Sequence, residues 1–174
     1  MNKVAKSDVV KQPTPVVPAE YNQVVAAARL RDIRLIKSEF VIEADGLQFS
    51  SDWKLTHSCE IESVNLDQDR ELLLVSIGAA ASCKFRNKKV VSAKCRYLVA
   101  YDLNGAPEEN VIQTFAKRVA RFAAYPYFRS HFAEMSAQAG VHMPPLPVIK
   151  EVRLLPTATA EARKEIETQK VEEK

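Results

Sequence analysis

Between Arg31 and Leu103, apolar and polar residues alternate with period two through four successive runs, and no other feature of the chain limits its fold as much. Period two puts alternate side chains on opposite faces of a strand, so each run builds one apolar and one polar face. In "RDIRLIKSEFVIEADG", Ile33 and Leu35 alternate with Asp32 and Arg34, then Phe40 and Ile42 alternate with Glu39, Val41 and Glu43. The phase slips near Lys37–Ser38, which predicts a bulge or bend within one long strand. In "DWKLTHSCEIES" the in-phase set is Trp53, Leu55, His57, Cys59 and Ile61. "RELLLVSIGAAASCKF" is apolar on both faces through Leu72–Val75, the mark of a central strand, and Val91 to Tyr101 alternate once more. The links "ADGLQFSS", "NLDQD" and "RNKK" are short and polar, as consecutive antiparallel strands require.

A helical period follows. In "NGAPEENVIQTFAKR", Pro107 and two glutamates mark a helix start, where a missing N–H costs least and negative charge meets the positive end of the dipole. Val111, Phe115, Val119 and Phe122 form one stripe, widened by Ile112, Ala116, Ala120 and Ala123. The stripe runs on through Phe128, Phe132 and Met135 to Gly140, a suitable C-terminal cap. This is one helix, or two joined at a kink at Pro126, about 45 Å long at 1.5 Å per residue. Lys117, Arg118 and Arg121 lie on its other face, read as solvated.

The remaining segments are bounded by composition. Residues 1–20 carry three of the nine prolines and no periodicity, and read as a flexible leader. A short alanine-rich helix is expected within 19–30. Residues 21–152 form the domain, "VIKEVRLL" is a short helix or an extended segment, and 153–174 is a charged tail with no packing face. At 174 residues and 47% apolar content the chain suits one soluble domain. A net charge of +3 without a concentrated basic patch speaks against nucleic acid. No apolar run approaches membrane-span length. Cys59, Cys83 and Cys95, odd in number and lacking a CxxC pair, read as buried thiols in a reducing, cytoplasmic setting.

The stretch "YPYFRSHFAEMSAQAGVHMPPLPV" resembles the signature of the SecB family of protein-export chaperones. The match comprises Tyr125, Pro126, Tyr127 and Arg129, then Gly140, then Pro144, Pro145, Leu146 and Pro147. "RDIRL" at 31–35 and "SSDWKL" at 50–55 are similar to the family's first strand and the opening of its second, and the resemblance covers about residues 29–152. It implies an α+β fold: a four-stranded antiparallel sheet with a long kinked helix and a short second helix packed on one side. It also implies a dimer of dimers that holds unfolded polypeptides without ATP, either preproteins or, in a toxin–antitoxin branch, an antitoxin. Export members dock the SecA motor through exposed carboxylates on the sheet. Here Asp32 matches one such acid, but the other two positions align with Ile36 and Lys94, which removes most of that electrostatic attraction.

The same residues have a reading of their own. Three prolines hold "VHMPPLPV" extended with few N–H donors, while Met143 and Leu146 offer adaptable apolar surface. Candidate client-binding residues are Phe40, Leu47, Phe49, Trp53, Tyr125, Tyr127, Val141, Met143, Pro144 and Leu146, each weighed against simple burial in the core. Pro126 either turns the aromatics toward a groove or wraps the helix around its sheet; Arg129 and Gly140 are structural. The three histidines lie on separate segments without metal-ligand spacing, His57 in phase with the core, and there is no nucleotide loop. No catalytic residue, metal or cofactor is expected. The competing reading is an adaptor that binds one dedicated partner peptide in the same groove.

Overall fold

In the computed structural model the described residues are 17–43, 54–85, 88–141 and 143–150. The four alternating runs form strands β1 (Arg29–Ile42), β2 (Lys54–Asp67), β3 (Leu72–Phe85) and β4 (Lys88–Asp102). They make one antiparallel sheet in the order β1-β4-β3-β2. β2 pairs with β3 and β3 with β4, as their short connections required. β1, however, pairs with β4, so β1 and β2 lie on opposite edges and are not neighbours. The slip expected near Lys37–Ser38 is a register shift between Leu35 and Lys37, with Ile36 as the extra residue; a second lies between Leu30 and Asp32.

Helix α1 (Pro18–Ala27) precedes the sheet and buries one residue, Val24. After β4, helix α2 (Glu109–Phe115) passes into a π-turn (Ala116–Ala120) and then helix α3 (Arg121–Gln138) without a break. The wide turn inserts one extra residue into the helical period. Val111, Ile112 and Phe115 are buried before it, Ala116 and Ala120 within it, and Ala124, Phe128 and Phe132 after it. The buried row Ile112, Ala116, Ala120, Ala124, Phe128, Phe132 and Ser136 runs through the turn at steps of four, and Val119 and Phe122, placed on the stripe by the sequence, are only half-buried. Departure from α-geometry thus falls at 116–120, whereas Pro126 sits exposed within regular α3. Arg118 and Arg121 are not simply solvated: Arg118 lies 5.6 Å from the Tyr21 ring centre and Arg121 5.5 Å from that of Phe122.

One face of the sheet carries the core. Leu73, Val75 and Ile77 of β3 and Tyr97, Val99 and Tyr101 of β4 pack against the helix, with Tyr101 edge-on to Phe115 at 5.0 Å between ring centres. All three cysteines are buried and free, as expected. His57 is exposed, against the expectation of a core histidine, because β2 is an edge strand that the helix only partly covers. The short helix expected beyond the proline-rich loop does not begin by Lys150, and residues 151–174 fall outside the described set.

Candidate functional site

The chain reverses at Gly140, whose φ of +68° is accessible to glycine at little cost. The N–H of Val141 donates back to Ser136 O at 2.9 Å, satisfying a carbonyl of the last turn. From there residue 141 and residues 143–150 run back along α3 without regular structure. Prolines 144, 145 and 147 supply no N–H, so this crossing cannot pair with a strand and must be held by its carbonyls and apolar side chains.

Two bonds from α3 do that. Arg129 Nε donates to Leu146 O at 2.9 Å, and the Tyr125 hydroxyl donates to Pro147 O at 2.7 Å. Burial pushes the Tyr125 phenol upward, so it remains a neutral donor. Between these bonds Leu146 is 2% exposed, and Val141 is buried in a smaller cluster with Val90 and Val91. Leu146, Val141 and Tyr125 were candidates for client contact. Leu146 and Tyr125 form the underside of the crossing and fasten it to the helix, while Val141, though buried, also lines the cavity described next.

The upper side is open. A cavity of about 300 Å³ lies between α3 and the crossing, with Phe132, Ala133 and Ala137 on one wall and Met143, Pro144 and Pro145 on the other. Among the described residues no charged side chain lines it. Its one hydroxyl, Ser136, is spent on Phe132 O at 2.6 Å. Met143 is half-buried, while Pro144 and Pro145 are exposed, so the wall faces solvent. Phe40 of β1 supports the floor, 6.2 Å from Phe132 between ring centres. Beside it Ser38 and His131 share a hydrogen bond of 2.7 Å that ties α3 to β1.

The structure thus brings together Phe40, Met143 and Pro144, with Val141 beneath them. Tyr127 is 53% exposed and does not line this cavity. Leu47, Phe49 and Trp53 lie outside the described residues. Sequence reasoning missed the helix wall. Its signal was present in Ala133, Ser136, Ala137 and Gly140, small residues at spacings of three, four and seven that line one helical face and leave room beside it.

Little supports chemistry here. His57 lies 5.9 Å from the Tyr125 ring centre. Burial raises the Cys59 thiol to about 11, so it stays protonated at neutral pH. Among the described residues no three His, Cys, Asp or Glu side chains could hold a metal ion, and no helix is long and apolar enough to cross a membrane.

No protein-family model and no curated protein matches the chain. A solved structure does: the Mycobacterium tuberculosis Rv1957 SecB-like chaperone in complex with a ChAD peptide from the HigA1 antitoxin. The TM-score is 0.66 at 18% identity, and the match covers 77% of this chain and 99% of that one. A protein of unknown function from Streptococcus agalactiae matches at a TM-score of 0.26 and 9% identity over 71% of this chain and 97% of the other, which is too remote to bear on the fold. The chain has a SecB-like fold: an antiparallel four-stranded sheet with a long helix across one face.

Proposed function

We propose that this SecB-like fold serves a chaperone that holds unfolded or partly folded polypeptides without ATP. The observation that carries the reading is the uncharged cavity between α3 and the proline-stiffened crossing, open to solvent and supported by Phe40. One large apolar side chain buried there gains about 1.5–3 kcal/mol, a weak and reversible contact. Several such cavities on one oligomer hold a long chain through effective concentration, with no tight site.

Met143 and Pro144 are the accessible contact residues in this reading, and Leu47, Phe49, Trp53 and Tyr127 extend the surface. Leu146, Val141, Tyr125 and Arg129 fix its shape. Assembly into a homo-oligomer, a dimer of dimers, joins the cavities. Protein export through SecA is not part of the proposal, since Ile36 and Lys94 stand where two docking acids are needed.

The test is aggregation of an unfolded model protein diluted from denaturant, followed by light scattering without ATP. An equimolar amount of this protein should suppress it, and absence of both suppression and binding contradicts the proposal. A second reading, an adaptor for one dedicated peptide, is favoured by the antitoxin peptide bound to the M. tuberculosis protein. Pull-down from the host separates the two: many unfolded clients support the holdase, one dominant partner the adaptor.

A further inference from the structure

Strand register gathers lysines that are scattered in the sequence. Lys54 of β2 stands opposite Lys84 of β3, and Lys84 stands opposite Lys89 of β4, so three lysines form one row beside the β3–β4 hairpin. Adjacent strands lie about 5 Å apart, and like charges placed directly opposite one another cost stability. All three are exposed, and none is ion-paired with a described residue. Protection of a sheet edge accounts for Lys54 alone, since β3 and β4 are the central strands. Charges of alternating sign would keep this end soluble without the repulsion.

The row adjoins a depression of about 340 Å³ lined by Lys89, Lys94 and the hydroxyls of Thr56, Ser58, Ser82 and Ser92. Lys54 and Lys84 stand two residues beyond Thr56 and Ser82 on the same face. Among the described residues no acid lines the depression, so it carries a net positive charge. Glu39, Glu43 and Glu60, the exposed acids along β1 and β2 at this end, form no ion pair with the four lysines. Thr56 and Ser82 bond each other through their hydroxyls at 2.9 Å, and the hydroxyls of Ser58 and Ser92 have no described partner. Asp32 stands opposite Ala100, toward the other end of the strands, and takes no part.

The lining selects phosphate over other anions. Lysine offers a compact charge with three rotatable donors, and no arginine fork, the group that favours planar carboxylates, lines the depression. No Phe, Tyr or Trp among the described residues lines it, so nucleic-acid bases have nothing there to stack on. Its apolar surface is Ala80, Ala81 and Ala93, too small to hold a lipid tail. A linear anion laid across the strands meets Lys54, Lys84 and Lys89 in turn, with hydroxyls donating beside them.

We infer that this end of the sheet is a binding site, separate from the α3 cavity, for a short chain of linked phosphate groups. It does not rest on the chaperone reading.

Isothermal titration of the full chain with tripolyphosphate tests this. Binding should be saturable, weaken as salt rises, and be at least about tenfold tighter than for orthophosphate, a difference of about 1.4 kcal/mol. Lys84→Ser with Lys89→Ser should weaken it about tenfold, whereas Lys117→Ser with Lys150→Ser, an equal loss of charge elsewhere, should leave it unchanged. Lys84→Glu relieves the like-charge row, so it should shift the melting temperature upward while abolishing binding, which separates loss of the site from loss of the fold. Equal weakening by the two double variants would reveal a general charge effect and overturn the site, as would tripolyphosphate binding retained by Lys84→Glu. Polyglutamate, an oligothymidylate or phosphatidylglycerol vesicles binding more tightly than polyphosphate at equal charge concentration would also overturn it.

Discussion

Leu146 and Met143 stand three residues apart on the same crossing and do opposite work. Leu146 is 2% exposed beneath the bonds from Arg129 and Tyr125. Truncation to alanine leaves a void that neighbouring prolines cannot close, and Leu146→Ala should cost about 2–5 kcal/mol in denaturant unfolding. Met143→Ser removes accessible apolar surface instead. It should change stability by under about 1 kcal/mol while weakening client binding several-fold in an anisotropy titration. If Leu146→Ala unfolds like the parent, the crossing is not anchored as described. The thiols give a second check at this scale. Burial raises Cys59 from 9.0 to about 11, and Cys83 and Cys95 move the same way for the same reason. The unfolded thiols ionise first, near 9, so stability should fall as pH rises from about 9 toward 11. At neutral pH a thiol-trapping reagent should label none of the three in the native protein and all three in denaturant. Fast native labelling of Cys59 would contradict its burial.

Among the elements, the helix and its ending carry the geometry. The π-turn at Ala116–Ala120 lies within the buried row, and small Ala116, Ala120 and Ala124 let the helix approach the sheet. Gly140 then turns the chain at φ +68°, and an added Cβ would meet nothing within 4 Å. The cost of Gly140→Ala is therefore backbone strain alone, about 1 kcal/mol, and Gly140→Asn should recover part of it because asparagine tolerates that region. Equal stability of all three forms would show that the reversal is not fixed there. Strand identity and phase were legible in the sequence down to the bulge at Ile36, since they follow from local alternation. Strand order was not, because pairing β1 with β4 depends on contacts far apart in sequence, from Arg29 with Asp102 to Ile42 with Val91. Nor was the buried role of Val141, Leu146 and Tyr125: an apolar loop reads alike whether it faces a core or a client. The helical stripe was legible at Ile112, Ala116, Ala120, Phe128 and Phe132, and misplaced only Val119 and Phe122, beside a π-turn that carries no residue pattern a constant period detects.

At the scale of the whole molecule the two edges of the sheet differ. β1 exposes Leu30, Leu35, Ile36 and Val41 interleaved with Arg29, Arg31, Arg34, Lys37 and Glu39, whereas the exposed residues of β2 include no large apolar side chain. A long apolar edge invites pairing, while charges discourage it. If the chain assembles as proposed, the exposed apolar residues make β1 the candidate edge, and Leu35→Lys with Ile36→Lys should then reduce the particle mass in light scattering toward the 19.5 kDa of one chain. A parent protein already at that mass would remove the edge from the account. In the proposed function association matters because one cavity would hold a client weakly, and linked cavities would retain a long chain. The most direct measurement is therefore suppression of aggregation of an unfolded client without ATP, comparing the parent with Met143→Asp. The account predicts that the parent keeps the client soluble near equimolar ratio, and that the variant, folded and of the same mass, loses most of this ability. Full protection by Met143→Asp, or none by the parent, would contradict it.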